Sequence, residues 1–176
     1  MTRSIPSAIV ALGLSAAISV PALAGEQYVD ETGFAVSGYD VVAYFDLDQA
    51  AVGQQQPAPV AGSKAFTAEY NGATWAFASA ENRDRFAADP AAFAPAYDGH
   101  CAYGVAQGGK VPANPSLWRI VDGRLYLNIT PQVVEFWNED ISGNIQQSEV
   151  NWSDIERDPA ATTAVPQFDI SAAPHS

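Results

Sequence analysis

The chain holds one cysteine and two histidines, and two of these three residues are neighbours in the run Asp98-Gly99-His100-Cys101-Ala102-Tyr103-Gly104. His175 lies in the C-terminal segment, so any imidazole acid/base or metal role falls to His100. A helix capped by Asp98 puts Cys101 in its first turn, where backbone N–H groups and the positive end of the helix dipole favour the thiolate. Two chemistries follow. With Cys101, His100 and Asp98 as ligands, the run offers the mixed sulfur, nitrogen and oxygen set that copper or zinc accepts. Alternatively, Cys101 is the nucleophile of a thiol redox protein or sensor and is resolved by an external thiol. Plainer roles stand beside both: a lone thiol serves equally as a small buried hydrophobe, and His100 as a surface or capping residue. Tyr39, Asp40, Tyr44 and Tyr103 are candidates to line a pocket, with Asp40 a further carboxyl for a metal, although aromatics at such spacings are more often core.

Other chemistry lacks its signatures. GxGxxG, the Walker loop, HExxH, CxxC and GxSxG are all missing. The carboxylates are dispersed, so no glycosidase-type pair is supported. Twenty acidic against eight basic residues give a net charge of −12, which repels nucleic acid and anionic membrane surfaces. The reading is therefore a protein without nucleic-acid or membrane partners, left with a metal ion or a protein partner.

The elements that must hold the Asp98 run are legible from turn chemistry. Asn71-Gly72 and Asp122-Gly123 each mark a two-residue hairpin turn. Pairing outward from the first sets Tyr70 opposite Ala73, Ala68 opposite Trp75 and Phe66 opposite Phe77. The second puts Trp118, Ile120, Leu125 and Leu127 on one face, with Arg119, Val121, Arg124 and Tyr126 on the other. Ser79 caps a helix to about Ala88, Asp89-Pro90 opens a second one carrying Phe93 and Tyr97, and Thr130-Pro131 opens a terminal helical region bent near Gly143. The loop from Gln49 to Ser63 is read as separating the block Gly38-Tyr39-Asp40-Val41-Val42-Ala43-Tyr44-Phe45 from the core. No internal repeat is visible. The expected fold is α+β, one domain over residues 25–158 in which two antiparallel hairpins make a small sheet packed with short helices, followed by a flexible tail over 159–176.

Export is written at the N-terminus. Arg3, the apolar stretch from Ala8 to Val20 and Ala22-Leu23-Ala24 fit a signal peptide over residues 1–24, cleaved after Ala24, and a bacterial periplasm is the expected destination. The mature chain would then have 176 − 24 = 152 residues and, without Arg3, a net charge of −13. With a single cysteine, it forms no intrachain disulfide.

Residues 38–128 resemble the YHS domain family, in its exported bacterial subgroup. The resemblance rests on the Gly38 to Phe45 block, the run Tyr70-Asn71-Gly72-Ala73-Thr74-Trp75 continuing to Arg83, the run from Cys101 to Gly108, and Leu125-Tyr126-Leu127-Asn128. It implies the α+β fold and a binding protein without catalysis of its own, involved in transition-metal handling. Metal-associated relatives carry cysteines where this chain has Ala78 and Asn82, and some exported members are labelled selenoproteins, which suits a redox role at Cys101. A structural, partner-binding module is the third alternative.

Overall fold

The computed structural model describes residues 25–165; the expected signal peptide and the end of the expected tail, residues 166–176, lie outside the described residues. Strands β1 (Ser63–Tyr70) and β2 (Ala73–Phe77) form one antiparallel hairpin, and β3 (Asn114–Val121) and β4 (Arg124–Asn128) form another. They remain two separate two-stranded sheets rather than one. Among the described residues five α-helices complete the α+β fold: α1 (Ala80–Ala88), α2 (Pro90–Phe93), α3 (Ala102–Ala106), α4 (Pro131–Glu139) and α5 (Ile141–Ile155).

Both turns are left-handed at their two central residues, Asn71 (φ 49°) with Gly72 (φ 73°) and Asp122 (φ 49°) with Gly123 (φ 76°), as a twisted two-residue hairpin requires. Next to the turns the pairing is as expected: Tyr70 with Ala73 and Ala68 with Trp75, Ile120 with Leu125 and Trp118 with Leu127. Further out the register shifts. Phe77 lies opposite Ser63 and not Phe66, because extra residues between Ser63 and Thr67 bulge out of the ladder, and the same irregularity separates Asn114 from Trp118.

The repeated bulge belongs to a larger repetition that the sequence hides. Every bound of β3, β4 and α4 lies 51 residues after that of β1, β2 and α1, from Ser63 and Asn114 through to Ala88 and Glu139. Ser79 and Thr130 cap the two helices through side-chain oxygens that accept from Asn82 N–H and Val133 N–H. Asp89 (φ −150°, ψ 78°) and Asp140 (φ −152°, ψ 79°) end them in one conformation. Upstream, Val36, Ser37 and Gly38 are left-handed in succession, as are Tyr97, Asp98 and Gly99. Residues 35–93 and 96–155 are therefore two copies of one unit. From 63–89 to 114–140 only Gly72/Gly123 and Asp89/Asp140 are identical, the turn glycine and the helix-ending aspartate.

Two further expectations are corrected. The block around Asp40 is not set apart from the core: Val41, Val42 and Tyr44 are buried in the same cluster as Trp75, Phe77, Phe86, Trp118, Leu125 and Leu127. The terminal helical region breaks at Asp140 and not at Gly143, since the Asp140 carboxyl accepts from Gly143 N–H at 2.9 Å and any Cβ on Gly143 would strike that carboxyl. After α5, Ala160 N–H donates to Glu26 Oε2 and Ala161 N–H to His100 Nε2, each at 3.1 Å.

Candidate functional site

The Asp98 run was expected to carry the chemistry, and the fold turns it inward. Cys101 is the residue before α3, not one in its first turn, and it is fully buried. Its Sγ accepts from Gly104 N–H at 3.4 Å and its thiol donates to Asn128 Oδ1 at 3.5 Å. Burial pushes the thiol up to about 11, against the N–H groups of Gly104, Ile129 and Tyr103, which favour the thiolate. The expected activated thiolate is thus replaced by a protonated, hydrogen-bonded thiol.

His100 is buried too, and both its nitrogens are engaged. Nδ1 donates to Tyr97 O at 2.8 Å and Nε2 accepts the Ala161 N–H, an arrangement that fits only the neutral ring. Burial lowers it to about 4, with the Tyr97 carbonyl opposing and Lys110 reinforcing. Asp98 is left-handed (φ 51°) and takes Asn71 Nδ2 on Oδ1 at 3.2 Å. Burial raises its carboxyl above the usual range. Copper or zinc at Cys101, His100 and Asp98 does not fit this arrangement. Among the described residues no three His, Cys, Asp or Glu side chains converge as ligands.

The other candidates also serve the framework. Asp40 is a buried hub that accepts from Val42 N–H (2.9 Å), Ala43 N–H (3.2 Å), Ala78 N–H (2.8 Å) and Asn82 Nδ2 (2.7 Å), tying the first unit's turn to the start of its helix. Tyr44 donates to Pro115 O at 2.9 Å and sets its ring edge-on to Trp118. Tyr39 is buried and bridges to Ala61, while Tyr103 stacks on Phe136 and donates its N–H to Asn128 Oδ1 at 3.1 Å.

A cleft of about 420 Å³ is bordered by none of these candidate side chains. Its walls are residues 53–56, residues 116–119 of β3, Asn128, and Pro131, Val134, Glu135, Trp137 and Asn138 of α4. The first wall exists because the repeat is unequal. Cys101 follows Asp40 by 61 residues whereas the hairpins are 51 apart, so the first unit carries ten extra residues between its turn and its hairpin. They run across the second unit's hairpin and are pinned there. Gln49 takes Ile120 N–H on Oε1 at 2.6 Å and donates to Ile120 O at 3.2 Å, and Trp118 Nε1 donates to Pro57 O at 3.0 Å.

The α4 wall has an unusual polarity. Trp137 is almost wholly buried, and among the described residues its indole N–H has no acceptor and the buried Oδ1 of Asn138, the next residue, has no donor. A buried polar atom left unpaired costs about 1–3 kcal/mol. A molecule or water that reached this donor and acceptor would remove that cost. Sequence reasoning passed over Trp137 as one more apolar residue at four-residue spacing; the available signal was a tryptophan followed by an asparagine on a helix facing a glutamine-rich loop. No protein-family model matches the chain, and no curated protein and no solved structure matches it either.

Proposed function

We propose that the protein is an exported binding protein of the YHS type, without catalysis of its own, and that it binds in the cleft and not at the Asp98 run. The observation that carries this reading is a 420 Å³ cleft lined by both Trp137 and Asn138, whose indole N–H and Oδ1 are buried and unpaired among the described residues. Clefts of this size, with apolar and indole walls and a few placed polar groups, suit small organic ligands. The ligand class that fits is neutral and hydrogen-bonding, offering an acceptor to the indole and a donor to the amide. Arg119 and Glu135 at the rim balance each other, and the overall negative charge works against anions.

The test is a titration of the protein, labelled with ¹⁵N at its tryptophans, with neutral monosaccharides and small amides. A bound ligand should move the Trp137 indole resonance downfield, and Trp137→Phe should weaken binding at least tenfold. If the compounds that bind leave that resonance in place, the cleft is not the site.

A further inference from the structure

Asp98 Oδ2 is the one carboxylate oxygen among the described residues that is buried and accepts from nothing. Its partner oxygen is held by Asn71 Nδ2, and that same amide donates to the Gly25 carbonyl at 3.1 Å. Gly25 is buried, and its main chain lies directly against the unpaired oxygen: any Cβ at this position would strike Asp98 Oδ2 and come within 2.5 Å of the Glu156 carbonyl. A glycine is thus required where the chain passes Asp98, and Gly25 is also the residue that cleavage after Ala24 would leave first.

We propose that removal of the signal peptide completes this site, the new α-ammonium group of Gly25 pairing with Asp98 Oδ2. The inference rests on the export reading. In the cleavage step a signal-peptide protease adds water across the Ala24–Gly25 bond. The C–N bond breaks, the water oxygen joins the Ala24 carboxylate, and the Gly25 nitrogen leaves as an amine that takes up a proton at neutral pH. An amide N–H before cleavage becomes a cation with three donors after it, next to a buried acceptor that lacks one. The charges already there leave room for it. Lys110 Nζ is committed to the carbonyls of Glu156 and Asp158 at 2.6 and 2.7 Å, and the Glu156 side chain adds a second negative charge near Gly25. Maturation would then lock the N-terminus, the Tyr97-Asp98-Gly99 turn and the end of α5 to one another.

The experiment compares three forms of the chain: the form beginning at Gly25, the same form acetylated selectively on its α-amino group, and a form that keeps Ala24. Urea unfolding should give the free Gly25 form a folding equilibrium constant at least tenfold above either of the others, and Asp98→Asn should abolish the difference. Should Asp98→Asn fail to fold, the gap between free and acetylated forms in the native sequence still decides the matter. Equal stability of the free and acetylated forms overturns the ion pair. Intact mass of the exported protein reads the underlying premise separately: a first residue other than Gly25 overturns the cleavage reading, whatever the ion pair does.

Discussion

The two units share a backbone and differ in what they put at its centre. Asp40 in the first unit and Cys101 in the second occupy one position, each following three left-handed residues and one extended one. Their partners correspond as well. Asp40 accepts from Val42, Ala43 and Ala78 N–H; Cys101 Sγ accepts from Gly104 N–H, which matches Ala43, and the matching Tyr103 and Ile129 N–H groups favour its thiolate. Behind each hub an aromatic pair stacks, Trp75 on Phe86 at 5.1 Å and 35°, Tyr126 on Trp137 at 5.7 Å and 37°. The contrast lies in one neighbour. Phe77 closes the first unit's core with a third ring against Phe86, whereas the second unit has Asn128 there, whose Oδ1 serves Cys101 and Tyr103. Within a common frame, then, the first unit places a third ring at this position, and the second places an amide that borders the cleft. Cys101 is the second unit's version of a structural acceptor.

The largest expected effect breaks the comparison at the hubs. Asp40→Ala leaves the Val42 and Ala78 N–H groups and the Asn82 amide without an acceptor, while Ala43 N–H keeps the residue-40 carbonyl, so it should cost about 4–6 kcal/mol and shift the urea midpoint far down or prevent folding. Sulfur is a weaker acceptor at longer range, and Cys101→Ala should cost only about 2 kcal/mol. Equal losses at the two positions would show that correspondence in geometry carries no correspondence in energetic weight.

Acid should act on the second unit through His100. The His100 ring lies near 4 in the folded protein against an unfolded value of 6.5, so between those pH values the unfolded chain binds more protons. Stability from the neutral ring is complete above about pH 6.5 and is lost as pH falls towards 4, by about 3 kcal/mol at most. Lys110 and Glu26 bear on the ring from outside its turn, in opposite directions. Chemical unfolding at pH 7.5, 5.5 and 4.5 checks the slope, and His100→Gln should flatten it. A slope unchanged in that variant would place the acid sensitivity elsewhere.

These contrasts explain what could be read from the sequence. Turn pairs such as Asn71-Gly72 and caps such as Ser79 and Thr130 act within a few residues, so the hairpins and helix starts were legible. The repeat was not, because a turn glycine, a hydroxyl cap and a buried ring at position 86 or 137 are satisfied by several residue types, and only two positions over 27 are identical. The site went astray for a related reason. The pattern Asp98-Gly99-His100-Cys101 suggests a helix start, but Tyr97 and Asp98 are left-handed, which delays α3 to Ala102 and buries the thiol. No local signal announced that residues 53–56 would cross to the other unit.

The smallest stability change is expected at Trp137, and its smallness is the point. Replacing a buried ring by a smaller one ordinarily costs about 1–2 kcal/mol through lost contacts and residual space, as Phe86→Leu should in the first unit. Trp137→Phe loses comparable packing but also deletes an indole N–H that has no acceptor, which returns about 1–3 kcal/mol. The two contributions oppose each other, so the variant should fall within about 1 kcal/mol of the parent by urea unfolding. Asn138→Leu, which removes the unpaired acceptor and adds apolar surface to the same wall, should likewise be close to neutral. A loss at Trp137 as large as that of Phe86→Leu would mean that the indole already has its partner, and the cleft would then have no more claim to a ligand than the ring-filled core of the first unit.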